Sequence, residues 1–316
     1  MILRSFTQNS PLLPLTYPIV ITLTILSGQH ELWLHSQNTS HAWMNGNFLN
    51  FTFIVILSIN AFIANHIYNR SELYHSPAYL TGLIYAVFTS IACVQTGNLI
   101  QLIAQTGALI SFYFAFSIFK QKKIAHQLFL SALFMGLSAL LDEFYLLFPL
   151  VLIFLSIWNR PFSIKDLTLV ILGFFTPLLY WNCYKWLTAY PSEQSFFWTF
   201  FSGFNSTTST PPSMLFIVTL VLAVVLAILS LSHKEDRQSN KTVQSKQYLV
   251  LLFTVSAGAM SVDYILHHCV KINELVSIAP VLLLSHYWTH YRTSLLAPFV
   301  FYISMAIAMI EFFHWF

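Results

Sequence analysis

Residues 125–166 read AHQLFLSALFMGLSALLDEFYLLFPLVLIFLSIWNRPFSIKD and hold two apolar runs on either side of Asp142 and Glu143. Each run is long enough to enter a lipid bilayer, and no Lys or Arg lies between residues 124 and 159 to neutralise the two acids. Carboxylates are costly in such a setting, so they mark either a functional site or a water-facing edge. The stretch therefore predicts a membrane hairpin whose tip carries two carboxylates.

The rest of the chain is equally apolar. Of its 316 residues, 57% are hydrophobic and only 8% are charged, and the mean hydropathy is +0.68. Soluble domains carry about 25% charged residues, so this chain cannot cover a core of its size with a solvated surface. Its apolar runs lack two-residue alternation, which selects helices over a barrel. We therefore predict an all-α fold, a polytopic integral membrane protein that forms one helical domain over residues 1–316.

Hydropathy predicts about 11 transmembrane helices. Their expected ranges are Leu12–Ser27, Phe51–Ile67, Ala78–Gln95, Leu99–Phe119, Gln127–Leu141, Tyr145–Trp158, Leu167–Leu187, Met214–Ser232, Tyr248–Leu266, Leu275–Tyr287 and Leu295–Phe313.

The Lys and Arg residues predict the orientation of these helices, because cytoplasmic loops carry an excess of both. With the N-terminus in the cytoplasm, the outer loops receive only Lys185 and Lys271 of the 14 Lys and Arg residues. The cytoplasmic loops receive the rest: Arg4, Arg70, Lys120, Lys122, Lys123, Arg160, Lys165, Lys234, Arg237, Lys241, Lys246 and Arg292. We therefore predict the N-terminus inside, the C-terminus outside and a multi-pass location in the bacterial inner membrane.

This orientation places Asp142 and Glu143 on the outer side. One interpretation is that both carboxylates point into water and merely end a helix. The other is that one of them faces a polar cavity as a base, a metal ligand or a proton site. Burial at the membrane boundary can raise the pKa of a carboxylate toward the range that is useful for proton transfer.

A second outer acid, Glu31, lies in QHELWLHSQNTSHAW after the first span. His30 and His35 invite comparison with the zinc motif H-E-x-x-H, but they are five residues apart rather than four. Positions i and i+5 do not share a helical face, so we reject that motif. Glu31 stays a candidate catalytic acid, with an interfacial helix anchored by Trp33 and Trp43 as the alternative.

Basic and imidazole groups supply a candidate phosphate site. The stretch DYILHHCVKINE brings His267, His268 and Lys271 to one outer turn, and Lys185 is the other outer lysine. Such groups bind the phosphate of a lipid headgroup. The alternative is ordinary snorkelling of long side chains toward the interface.

Several functions are disfavoured by the motifs that the chain lacks. It has no Walker A, GxGxxG or G-x-S-x-G sequence, and its three cysteines lack metal-type spacing. The basic residues form no patch, so nucleic acid is not an expected partner. We identify no cofactor and leave a divalent cation at the outer acids open.

Residues 51–182 resemble an uncharacterised multi-pass inner-membrane family common in Bacteroidetes. The resemblance rests on FTFIVILSINAFIANHIYNRSELYHSPAYLTGLIYAVFTS, on SALFMGLSALLDEFYLLFPLVLIFLSIWNRPFSIKD and on LTLVILGFFTP. It implies topology and a bacterial source, and no activity.

A looser architectural similarity is to membrane glycosyltransferases that use a polyprenyl-phosphate-linked sugar at the outer face. Glu31 matches their first-loop acid, although this chain lacks a first-loop acid pair and a large C-terminal soluble domain. That similarity implies an enzyme in which Glu31, Asp142 or Glu143 activates the acceptor while Lys185, His267, His268 and Lys271 hold the lipid phosphate. Two alternatives stay open, a transporter or flippase and a non-catalytic membrane subunit of an envelope or secretion complex.

Overall fold

The computed structural model describes residues 13–27, 46–71, 78–96, 98–118, 124–159, 163–188, 240–267 and 278–290, and residues 225, 299, 301–303 and 306. Within the eight continuous ranges, a short 3-10 turn (Leu13–Leu15) precedes the first of nine α-helices. These are α1 (Thr16–Ser27), α2 (Gly46–Arg70), α3 (Leu80–Thr96), α4 (Leu99–Ser117), α5 (Ala125–Leu141), α6 (Pro149–Asn159), α7 (Ile164–Thr188), α8 (Asn240–His267) and α9 (Ile278–His290). A second 3-10 segment, Glu143–Leu147, joins α5 to α6.

The all-α fold class is confirmed for the described residues, none of which lies in a strand. Among the described residues, three helical segments are long and apolar enough to cross a membrane: Phe48–Arg70, Leu99–Ser117 and Ile164–Tyr184. The predicted spans Met214–Ser232 and Leu295–Phe313 lie almost wholly outside the described residues, so the predicted number of spans stays a prediction.

The outer surface of the bundle carries stripes of large apolar side chains, as expected for contact with lipid. They include Ile19, Leu23 and Leu26 on α1, Phe51, Val55, Ile59 and Phe62 on α2, and Ile171, Phe175 and Leu179 on α7. Exposed apolar surface of this extent is rare on soluble monomers. Near its C-terminal end α7 also exposes an aromatic group, Tyr180, Trp181, Tyr184 and Trp186, of the kind enriched at membrane–water interfaces. These features support a membrane protein.

The first three helices pack into a tight unit around Tyr17. Its hydroxyl donates a hydrogen bond to the Tyr79 carbonyl oxygen (2.6 Å), and its ring lies 5.5 Å from that of Phe62. A Cβ added to Gly82 would collide with the Tyr17 ring, so only glycine admits this contact. The N-terminal ends of α1 and α3 therefore lie together, near the C-terminal half of α2.

Helix α4 packs antiparallel to α5 through a reciprocal pair of serines. The Ser111 hydroxyl donates to the Ser131 carbonyl oxygen (2.7 Å), and the Ser131 hydroxyl donates to the Ser111 carbonyl oxygen (2.9 Å). Both serines are fully buried. Hydrogen bonds between helices in a membrane contribute about 0.6–2 kcal/mol each, so the pair fixes the register of the two helices.

Helices α5 and α7 approach until their backbones touch. A Cβ added to Gly136 of α5 would collide with the carbonyl oxygen of Phe174, and one added to Gly173 of α7 would lie 2.7 Å from the Phe129 carbonyl oxygen. Small residues permit such close approach between membrane helices, where packing replaces the hydrophobic effect as the driving force. Helix α5 thus lies between α4 and α7.

The structure differs from the sequence prediction where the chain re-enters the bundle after Asp142. We predicted a short span over Tyr145–Trp158, either tilted or re-entrant, and the chain forms the 3-10 segment Glu143–Leu147 and begins α6 only at Pro149. Proline has no N–H to donate to a preceding turn, and it is favoured at the first position of a helix. The physical reason for the break is therefore Pro149.

We expect Gly136→Ala to lower the stability of the protein by about 1–3 kcal/mol, the usual cost of overpacking a well-packed site. The obstacle is the backbone of Phe174, which cannot rotate away as a side chain would. Gly258→Ala is the matched control, because a Cβ there meets nothing within 4 Å. That control should keep or raise stability, since alanine is the better helix former. Thermal unfolding in detergent measures both, and equal midpoints for the two variants would contradict the close approach of α5 and α7.

Candidate functional site

Asp142 forms the junction between α5 and the segment that turns back into the bundle. Its backbone N–H donates to the Ser138 carbonyl oxygen (2.9 Å) and so closes α5. Its side-chain Oδ1 accepts a hydrogen bond from the Phe144 N–H (3.1 Å), and its backbone carbonyl accepts one from the Tyr145 N–H (3.2 Å). One residue thus ends one helix and caps the next, which holds its carboxylate in a defined place.

A small pocket opens beside this carboxylate. It is lined by Cys93 of α3, by Gln101, Leu102 and Gln105 of α4, and by Asp142, Phe144 and Tyr145 of the turn. The side chain of Asn98 caps α4 by accepting hydrogen bonds from the N–H groups of Ile100 and Gln101, which fixes the first turn of α4 against the pocket. Residues of three separate elements therefore line one pocket.

The chemistry of the pocket suits a hydroxyl group. A carboxylate accepts hydrogen bonds, whereas the amides of Gln101 and Gln105 both donate and accept them. The enclosed space is about 10 Å³, which is close to the minimum that holds one water molecule. The pocket in this conformation admits one water molecule or one hydroxyl group, and a sugar ring would have to lie outside its mouth.

The neighbouring acid, Glu143, has a different position. It is half-buried at the first residue of the 3-10 segment and does not line the pocket. The two adjacent carboxylates of the predicted tip are therefore distinguished by the structure, since Asp142 contributes to the pocket wall and Glu143 does not.

The helix arrangement places this pocket at the end of the bundle from which the chain leaves α1. The N-terminal ends of α1 and α3 lie together through the bond from Tyr17 to Tyr79, so their C-terminal ends point the same way. Cys93, near the C-terminal end of α3, lines the pocket with Asp142. Helix α1 therefore ends, at Ser27, toward the end of the bundle that carries the pocket.

The structure does not describe the side chains of the other predicted site residues. Lys185 and His267 lie in α7 and α8, but only their backbones are described. Glu31, His268 and Lys271 lie outside the described residues. Their grouping with Asp142 stays a prediction. In the described part of the chain, no three His, Cys, Asp or Glu side chains come close enough to hold a metal ion.

A second polar cluster lies inside the bundle, between α2 and α3. Asn60 and Thr89 are polar neighbours of the Tyr85 hydroxyl, and all three residues are buried. Neither neighbour reaches hydrogen-bonding geometry with Tyr85, and in the described part of the chain the amide of Asn60 and the hydroxyl of Thr89 also have no hydrogen-bond partner. Each unsatisfied buried polar group costs about 1–3 kcal/mol. A cluster of them in a membrane bundle requires an explanation.

The uncharged residues of the pocket and of the buried cluster were not predicted, because candidate site residues were selected by charge. The signal was present in the spacing of polar residues within apolar runs. Gln101 and Gln105 are four residues apart, and so are Tyr85, Thr89 and Cys93. Residues four apart share a helical face, so each set marks one side of its helix.

Comparison with known protein families, with curated proteins and with solved structures finds no match for this chain. The resemblance to the inner-membrane family stays a prediction, as does the similarity to glycosyltransferases.

Removal of the Asp142 side chain should separate its structural role from any chemical one. We expect Asp142→Ala to lower stability by about 0.5–2 kcal/mol, the cost of losing a capping oxygen, whereas Asp142→Asn should stay close to the parent protein because asparagine caps as well as aspartate does. Thermal unfolding midpoints in detergent measure the difference. If the asparagine variant is as unstable as the alanine variant, the hydrogen bond to the Phe144 N–H is not what anchors the turn.

Proposed function

We propose that this chain is a multi-pass protein of the bacterial inner membrane with about 11 spans, its N-terminus in the cytoplasm and its C-terminus outside. We further propose that it is a glycosyltransferase-like enzyme that acts on a polyprenyl-phosphate-linked sugar at the periplasmic face. The observation that carries the proposal is the capped carboxylate of Asp142 in a pocket lined by Gln101 and Gln105.

In this proposal Asp142 is the general base. One hydroxyl group of the acceptor enters the pocket, where the two glutamines orient it and the Asp142 carboxylate takes its proton. The acceptor oxygen then attacks the anomeric carbon of the donor sugar, and the bond from that carbon to the phosphate oxygen breaks. The lipid phosphate leaves as an anion. A base held in place before the reaction contributes through orientation as well as through proton transfer.

The remaining predicted residues complete the site. Lys185, His267, His268 and Lys271 would hold the phosphate, since preorganised donors stabilise charge that develops on a leaving group. Glu31 would provide a further carboxylate from the segment after α1, either as a second acid or as a ligand for a divalent cation. Membrane lipid and the lipid-linked sugar are the partners that this arrangement requires.

A transporter or flippase is the second candidate. It is favoured by the buried cluster of Asn60, Tyr85 and Thr89, because transporter sites lie near the middle of the membrane. Asn60 is about 18 Å along the helix from Phe48 and about 15 Å from Arg70, at a rise of about 1.5 Å per residue. The cluster holds no carboxylate or amine to couple an ion, so we rank this function below the enzyme.

The enzyme is tested with Asp142→Asn, which removes the base and retains the cap. We expect it to consume a polyprenyl-phosphate hexose at least about 100-fold more slowly than the parent protein, because general bases contribute about 10²–10⁴-fold. Glu143→Gln is the matched control, since it removes the adjacent carboxylate that does not line the pocket. Substrate loss is followed by chromatography of the lipid extract, with protein amount measured in parallel. Equal rates for the two variants and the parent would exclude Asp142 as the base.

The orientation is tested with truncated reporter fusions. A fusion after Lys122 should place its reporter in the cytoplasm, where a green fluorescent protein folds and fluoresces. A fusion after Gly97, one helix earlier, should place it outside, where alkaline phosphatase is active. The reverse pattern would put the Asp142 pocket on the cytoplasmic side, and the periplasmic reaction would have to be abandoned.

A further inference from the structure

Helix α3 carries a buried polar stripe that the proposed reaction does not use. Thr81, Tyr85, Thr89 and Cys93 follow one another at intervals of four residues, so they form a slowly winding row on one side of the helix. Their exposed fractions are 0%, 0%, 2% and 3%. The row rises about 18 Å, which is more than half of the apolar thickness of a bilayer.

Among the described residues, the hydroxyl groups of this row have no hydrogen-bond partner. No described residue bonds to Thr81 Oγ1, Tyr85 Oη or Thr89 Oγ1, or to either polar atom of the Asn60 amide, which faces Tyr85 from α2. Threonines elsewhere in apolar helices bond to a carbonyl oxygen one turn earlier. Thr22, Thr52, Thr106 and Thr176 do this. Thr89 does not, and lies beside Tyr85 instead.

The chemistry of these groups selects the ligand. Hydroxyl and amide groups both donate and accept hydrogen bonds, but none of them carries a charge that could offset the desolvation of an ion. Buried polar groups that lack a protein partner are commonly bridged by water, which makes about three hydrogen bonds in such places. The ligand that fits is therefore water, not a metal ion or a charged substrate.

The row also leads to the Asp142 pocket. Cys93, its last member, is a wall of that pocket and follows Thr89 by one turn on the same side of α3. We propose that α3 and Asn60 hold a short file of ordered water molecules, which continues through the Cys93 position into the pocket of Asp142. The file connects the outer end of the bundle with the depth of Asn60, near the middle of α2. This proposal is independent of the glycosyltransferase-like reaction.

The sign of a stability change tests the proposal. Thr89→Val preserves the shape of the side chain and removes its hydroxyl. If the site holds water, the variant leaves that water short of a partner, and the unfolding midpoint of the full-length protein in detergent should fall. If the site is dry, the variant removes an unsatisfied group and the midpoint should rise. A rise or no change would overturn the proposal. Thr106→Val is the reference for losing a hydroxyl that bonds only to its own helix.

Access of water to the row is tested with cysteine labelling. In a full-length protein whose three native cysteines are replaced by serine, Thr89→Cys is compared with Ser90→Cys. Ser90 is fully buried, lies about 100° around α3 from Thr89, and its hydroxyl bonds to the Val87 carbonyl oxygen of its own helix. The probe is methanethiosulfonate ethylammonium, which reacts with the thiolate that forms in water, and intact-protein mass spectrometry follows its addition. We expect cysteine at position 89 to react at least about 10-fold faster. Equal rates at the two positions, whether slow or fast, would overturn the proposal.

Discussion

A polar group inside this bundle has no bulk water to bond to, and that constraint governs the structure from its helix ends to its core. In hydrocarbon every backbone and side-chain donor must find a partner in the protein. The cap of Asp142 on the Phe144 N–H, the cap of Asn98 on α4 and the reciprocal bonds of Ser111 and Ser131 each satisfy groups that would otherwise be stranded. The hydroxyl groups in the row on α3 have no such partner among the described residues. Because unsatisfied polar groups are rare inside proteins, this exception is informative.

The same constraint explains why α5 lies at the centre of the described bundle. Apolar side chains gain nothing by leaving lipid for protein, so helices associate through close packing and hydrogen bonds. Helix α5 uses both, with serine bonds toward α4 and glycine contacts toward α7. Asp142 follows directly after this helix. Its carboxylate is therefore held by an element that is itself fixed on two sides, which is what a reacting group requires.

The sequence allowed the helical class to be predicted, because length and hydropathy are local signals. It marked Asp142 and Glu143 as a pair and did not separate them. The break at Pro149 was also local, but a continuous apolar run concealed it. Gln101 and Gln105 were missed because polar residues without charge do not stand out in a count of ionisable groups. The contact between Gly136 and Phe174 joins residues 38 positions apart, and no local pattern announces such a contact. Which of the two acids faces a pocket likewise depends on the turn that Asp142 caps.

The aromatic group on α7 has a consequence for Asp142. Tyr180, Trp181, Tyr184 and Trp186 are exposed at one end of that helix, and such rings settle at the level of the lipid headgroups. Because the backbones of α5 and α7 touch, the rings and the Asp142 carboxylate keep a constant vertical offset. Any displacement of the rings relative to the headgroups would therefore move the carboxylate with them. A lipid composition that raises or lowers the rings would move the carboxylate by the same amount and so change how much water reaches the pocket.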